Sequence, residues 1–197
     1  MYNKWTIIYS YHDKPIHYDH LIKSNPNANI LLADISNNYS RQYCWKNGDN
    51  LWRKWIKNNL DKISTNNIAI LEWDVLVSCE LPDININGLF GKDVIKKDQN
   101  WVWFRDTHKL SKYKNYAIGL SPLAVLFMDQ ITLTTWTSDE FDFIYTKDIF
   151  SELRLPTLLN SKNISVNSFP MNNVDWRNTI KYNSSIPDIY HPIKYYV

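Results

Sequence analysis

The stretch IAILEWDVLVSC, Ile68 to Cys79, is a near-continuous apolar run interrupted in its middle by Glu72, Trp73 and Asp74. A run without polar alternation suits a strand buried on both faces, and such strands belong to parallel sheets covered by helices. Two carboxylates inside it are unfavourable unless something compensates their charge. In an extended chain residues i and i+2 point to one side, so Glu72 and Asp74 converge on one place. Paired hard oxygen ligands favour Mg²⁺ or Mn²⁺. The competing reading pairs Glu72 with Arg53 and leaves Asp74 to begin a turn.

Upstream, WTIIYSYH (Trp5 to His12) and ANILLADIS (Ala28 to Ser36) are two more apolar, strand-length runs. Between them, IHYDHLIKSN allows a short amphipathic helix. In NGDNLWRKWIKNNLDKI, Asn47, Gly48 and Asp49 give a stop and a cap, and Leu51, Trp52, Trp55, Ile56 and Leu60 recur at helical spacing. The order strand, helix, strand, helix, strand predicts an α/β architecture with a mainly parallel central sheet and helices on both faces. Ligands of such sheets bind beyond the carboxyl ends of the strands. The polar residues at those ends are Tyr9 to Asp13, Asp34, and the Glu72-Trp73-Asp74 interruption.

The downstream half is less regular. WVWFRD and ITLTTWTSDEFDFIYT read as strands, SPLAVLFMDQI as a helix begun by proline, and DIFSELRLPTLLN as a helix stopped near Leu155 by Pro156. No linker separates the halves, so residues 1–197 are read as a single domain.

Composition narrows the function classes. A net charge of +2 with scattered lysines argues against nucleic acid as the main partner. Two cysteines, Cys44 and Cys79, without ligand spacing predict a reducing compartment rather than a disulfide scaffold. The segment MYNKWTIIYSYHDK lacks the features of a signal peptide, and no apolar run is long enough to span a bilayer. A cytoplasmic location follows as the expectation. Aromatic residues make up 15% of the chain, with nine tryptophans, which is enough both to fill a core and to stack on sugars or bases.

The tripeptide Glu72-Trp73-Asp74 after a buried strand resembles the D-x-D signature of GT-A-fold glycosyltransferases, with glutamate in place of the first aspartate. FSELRLPTLLN, Phe150 to Asn160, resembles the helix those enzymes place beneath the acceptor, and IYHPIK, Ile189 to Lys194, resembles their C-terminal histidine segment. The likeness spans most of the chain, and short single-domain forms are known in bacteria and large DNA viruses, the latter implying the host cytoplasm. It implies a Rossmann-like three-layer sandwich, with a nucleotide-binding half over about 1–80 and an acceptor-binding half with a closing tail over about 81–197.

The resemblance further implies transfer of a sugar from a UDP-sugar to a hydroxyl acceptor with Mn²⁺ or Mg²⁺. Asp74, Glu72 and His191 would hold the metal, and Lys194 would face the diphosphate. Tyr9, Ser10, Tyr11 and His12 would meet the base, Asp34 a uracil edge or ribose, and Trp73 lies between the two acids at the donor site. Glu152 is the first candidate for a catalytic base, with Asp139 and Glu140 second, while WVWFRD and TTWTSDEF would supply an aromatic acceptor wall. Two other classes stay open: a metal-dependent phosphoesterase, and a carbohydrate- or nucleotide-binding module without chemistry.

Overall fold

The three apolar runs of the first half form adjacent strands. In the computed structural model, which describes residues 4–35, 39–175 and 180–193, β1 (Trp5–Tyr11) lies between β2 (Asn29–Asp34) and β3 (Asn67–Leu71) and is parallel to both. The crossovers carry α1 (Tyr18–Ser24) and α2 (Arg41–Lys57). The register sets Tyr9 opposite Leu71, so the chain leaves β1 and β3 side by side. This places Ser10 to Asp13 next to Glu72 to Asp74.

The remaining strands are β4 (Leu76–Val77), β5 (Leu89–Gly91), β6 (Asp93–Ile95), β7 (Gly119–Ser121), β8 (Val125–Asp129), β9 (Val166–Ser168) and β10 (Ile189–Tyr190). The main sheet has six strands in the order β2-β1-β3-β8-β5-β9. Within it only β8 runs against its neighbours, pairing antiparallel with β3 and β5, while β5 and β9 are parallel. The sheet is therefore mostly parallel, as the first half predicts. Strands β4 and β10 pair with each other, as do β6 and β7.

Helices cover both faces. On one, Ile8, Ile70, Leu126 and Met128 pack with Trp52 and Ile56 of α2, with Leu133 and Trp136 of α3 (Gln130–Thr137), and with Leu155 and Leu158 of α5 (Ser151–Asn160). On the other, Ile7, Tyr9, Leu71 and Phe127 pack with Leu21 of α1 and with Val77, Met171 and Ile189. Trp52, Trp136 and Phe127 are almost wholly buried, and each such side chain stabilises the fold by about 1.5–3 kcal/mol. No helix among the described residues is long and apolar enough to cross a membrane.

Five segments differ from the sequence reading. Val125–Asp129, expected as part of a helix, is the strand β8, with all five residues buried between two layers. The following ITLTTWT, expected as a strand for its β-branched residues, is helix α3. Asp129 caps it, its Oδ1 accepting from Thr132 N at 2.6 Å, and the short segment beyond it, including α4 (Asp142–Tyr145), is helical too. WVWFRD opens a run of 3₁₀ turns over Val102–Tyr116, broken at Ser111 where φ is 53°. Pro156 does not end α5, because burial of nearly every residue in that helix outweighs the one backbone bond the proline removes. Helix α2 also begins earlier than its apolar spacing suggests. Ser40 caps it by accepting from Tyr43 N at 3.2 Å, and the expected start survives as a kink at Asn47.

A buried polar cluster ties α2 to α5. Arg154 binds both carboxylate oxygens of Asp49, with Nε 2.9 Å from Oδ2, and both side chains are wholly buried. The Tyr145 ring lies between two guanidinium groups, 4.6 Å from Arg53 and 4.6 Å from Arg154. Arg53 donates to the Trp136 and Ser138 carbonyls and to Asp142.

Candidate functional site

The carboxyl end of β3 is fixed by neighbouring backbone and hydroxyl groups. Glu72 N donates to Ala124 O at 2.9 Å, prolonging the ladder with β8 by one residue, and Ser10 Oγ donates to Leu71 O at 2.9 Å. Tyr9 Oη donates to Trp73 O at 2.7 Å. The chain then turns, with Val75 N donating to Glu72 O at 3.1 Å. Glu72 and Asp74 thus converge through a turn at the strand end, a correction to the expectation that a pleat would align them.

His191 arrives from the other end of the chain. Strand β10 pairs with β4, which follows this turn directly, and Ile193 N donates to Asp74 O at 2.9 Å. His17 Nε2 donates to the Ile193 carbonyl at 3.0 Å, holding the same segment from beneath. The described part of the tail is therefore docked into the body as a short strand. His191 Nδ1 donates to Asp175 O at 2.7 Å, which fixes the ring and leaves Nε2 aimed at the carboxylates. Nε2 lies 3.4 Å from Asp74 Oδ1 and 3.6 Å from Glu72 Oε2.

The donor set fits a divalent cation. One ligand atom from each of Glu72, Asp74 and His191 lies within 4.8 Å of the others. Two ligands of one octahedral ion stand roughly 3 to 4 Å apart, so small movements would close the set. Asp74 Oδ1 is buried and makes no close hydrogen bond among the described residues; the positive charge that faces it is the His191 ring at 3.4 Å, and a divalent cation would serve the oxygen more fully. Oxygen ligands suit Mg²⁺ or Mn²⁺, and the imidazole favours Mn²⁺. With protein groups alone, burial opposes charge on His191, but Asp74 and Glu72 outweigh it and raise its pKa to about 9.

These residues line a cleft of about 660 Å³. It is lined by Ser10, His12, Trp73 and the three candidate ligands, and by Trp45, Gly48 and Trp52 of α2. A β-carbon at Gly48 would stand 3.8 Å from Glu72 Oε1, so α2 passes close over the carboxylates. Glu152, in the first turn of α5, lines the same cleft. Burial pushes its carboxyl up to about 8, with the Glu72 charge adding to the shift, while Ser121 and the Leu123 backbone pull the other way as hydrogen-bond partners.

Of the residues singled out in the sequence, the cleft brings together Ser10, His12, Glu72, Trp73, Asp74, Glu152 and His191. Tyr9 does not face it: the side chain is wholly buried with the second core layer, and its hydroxyl supports the Trp73 carbonyl. Tyr11 and Asp34 stand opposite each other at the ends of β1 and β2, and neither lines the cleft. Asp139 pairs with Lys57 and Glu140 with Lys162 beyond α3, away from the carboxylate cluster. Lys194 lies outside the described residues. Arg53 is engaged with α3 and Asp142, so it is not the partner of Glu72.

Sequence reasoning missed Tyr39, Trp45, Gly48 and Trp52 as cleft residues. Gly48 and Trp52, four apart beyond the kink, share one face of α2, whereas the kink at Asn47 separates Trp45 from that spacing.

No protein-family model matches the chain, and no curated protein matches it in sequence. Among solved structures, an active-site mutant of LgtC matches over 95% of this chain and 87% of its own, at 12% identity and a TM-score of 0.50. The galactosyltransferase LgtC in complex with donor and acceptor sugar analogues matches over 86% of this chain and 74% of its own, at 13% identity and a TM-score of 0.43. A protein from STIV matches over 74% of this chain and 78% of its own, at 11% identity and a TM-score of 0.40. At such identity the likeness is one of architecture: this chain has a Rossmann-like GT-A fold, shared with LgtC.

Proposed function

We propose that this protein transfers a sugar from a nucleoside diphosphate sugar, with UDP the favoured carrier, to an acceptor hydroxyl, using a divalent metal held by Glu72, Asp74 and His191. One observation carries the reading. In a GT-A fold, two acids at the end of the central β3 strand meet a histidine delivered by β10, and one buried aspartate oxygen has no close hydrogen bond among the described residues. A metal bound there supplies positive charge that stabilises the departing diphosphate.

The chain's own residues divide the remaining work. Transfer breaks the bond between the anomeric carbon and the diphosphate oxygen, and the electron pair leaves on the phosphate. The acceptor oxygen forms the new bond and loses its proton. Glu152 is the group placed to take that proton if configuration inverts, because it lines the cleft beside the carboxylate cluster. Its pKa of about 8 already includes the pull of the charged His191, and the greater charge of a divalent ion at the metal position would further favour its ionised, basic form. Asp175 keeps the His191 ring oriented through its carbonyl. Ser10 and His12 border the donor, and Trp73 presents its side chain to the same cleft.

In this reading residues 1–197 form one transferase domain acting in the cytoplasm, with the donor bound mainly by residues 1–80. The test combines thermal shift with an assay of donor turnover. UDP should stabilise the protein in the presence of Mn²⁺ and far less in EDTA, and one of a panel of UDP-sugars should be hydrolysed slowly without acceptor. Stabilisation by free sugar alone, with no effect of UDP and metal, would replace this reading with that of a binding module.

A further inference from the structure

Trp45 leaves 52% of its surface exposed and lines the cleft. Its inner side is supported: the ring lies 4.7 Å from Phe150, which stacks on Trp103 at 4.1 Å with 21° between planes. Trp45 and Trp103 also meet edge to face at 5.8 Å. Three distant segments therefore build one aromatic wedge, and only Trp45 carries it into the cleft. The kink at Asn47 turns the first part of α2, and the Asn47 side chain is held by Arg154 Nη2 at 3.4 Å. Arg154 lies two residues beyond Glu152 on α5, so the orientation of Trp45 is tied to the helix carrying the candidate base.

We infer that the exposed face of Trp45 is the platform on which a pyranose ring of a carbohydrate acceptor stacks. This rests on the transferase reading and names its acceptor class. Trp45 lies three residues before Gly48, across the kink at Asn47, both line the cleft, and Gly48 faces the Glu72 carboxylate. Phe150, on which Trp45 rests, is followed directly by Ser151 and Glu152, which line the cleft. A ring on Trp45 therefore shares the cleft with the candidate metal ligands and Glu152. A pyranose has an apolar C–H face and a hydroxyl-bearing rim. The site matches both features: the indole offers a flat apolar face, and its surroundings are ionic. Arg105 is exposed and stacks 5.3 Å above Trp103, and Lys46 pairs with Asp148 next to the wedge. An acyl chain would need a continuous apolar groove, which these charged flanks interrupt.

Two measurements test the platform. The chain contains nine tryptophans, and loss of one indole N–H cross-peak in Trp45→Phe assigns that of Trp45. In the wild-type protein without donor or metal, at about 50 mM of lactose, maltose, cellobiose or diacetylchitobiose, well above a weak millimolar Kd, that peak should shift with at least one sugar. No movement with any of them overturns the inference. In transfer kinetics, Trp45→Ala should raise the acceptor KM about tenfold more than the donor KM, as expected for one lost stacking contact, and Trp45→Phe should restore most of it. An equal rise in both would assign the platform to the donor sugar and overturn the inference. The spectral arm needs neither UDP nor metal, so a failed transferase reading would show as absent donor turnover while the saccharide shift remained.

Discussion

Asp49 and Asp74 are both buried carboxylates, 0% and 5% exposed, yet the fold completes one and leaves the other open. Asp49 receives a bidentate guanidinium from Arg154, whose charge and geometry match it. Asp74 faces a second acid and a histidine, and its Oδ1 lacks a close hydrogen bond among the described residues. A buried charge with a full complement of partners is a structural tie between α2 and α5. A buried charge left incomplete in a cleft marks where something from outside binds.

The comparison is broken most severely at the completed pair. Arg154→Met leaves Asp49 buried without its counter-charge and should destabilise the protein by about 3–5 kcal/mol, read by urea denaturation. A loss below about 1 kcal/mol would mean the pair is not the tie described. The incomplete cluster should instead show itself through pH. Glu152 rises from 4.5 to about 8 and His191 from 6.5 to about 9 in the folded chain. Each group's contribution is fully present below its unfolded value and lost as pH rises through its folded value. In EDTA the protein should therefore lose stability from pH 5 to pH 9, on the order of 3 kcal/mol at about 1.4 kcal/mol per unit discounted for local relaxation. Glu152→Gln should flatten the lower part of that slope, and a flat wild-type profile would contradict both environments.

Glu152→Gln should also lower transfer roughly a hundredfold while UDP binding persists. Near wild-type transfer would remove Glu152 as the base, and the geometry offers neither Asp139 nor Glu140 in its place. The smallest effect is expected at Tyr9. Tyr9→Phe deprives the Trp73 carbonyl of its donor and should destabilise by about 1 kcal/mol, because the tyrosine supports the turn without facing the cleft.

The same contrast explains what the sequence makes legible. Strands β1 and β3 are readable because parallel strands covered on both sides need unbroken apolar runs, and β2, at the sheet edge and partly exposed, still carries an apolar run. Val125–Asp129 has the same character, but Pro122 ahead of it suggests a helix start, and periodicity cannot separate a short buried strand from a buried helix. Helix α3 hides behind threonines and isoleucine, with the Asp129 cap as its available signal. At the site, Glu72, Asp74 and His191 are legible because polar groups in apolar segments stand out. Trp45 and Gly48 are not, since their role depends on a kink fixed by Arg154 from α5, a contact between distant segments that spacing alone does not reveal.

Whether Glu72, Asp74 and His191 bind a divalent cation is decided by calorimetric titration of Mn²⁺ into the protein at pH 7 in two buffers of different ionisation enthalpy. One site per chain is expected, with release of the proton that His191 holds at its raised pKa of about 9, and loss of that binding in Asp74→Asn. Equal Mn²⁺ affinity in the wild type and Asp74→Asn, or no binding even with UDP present, would contradict this assignment.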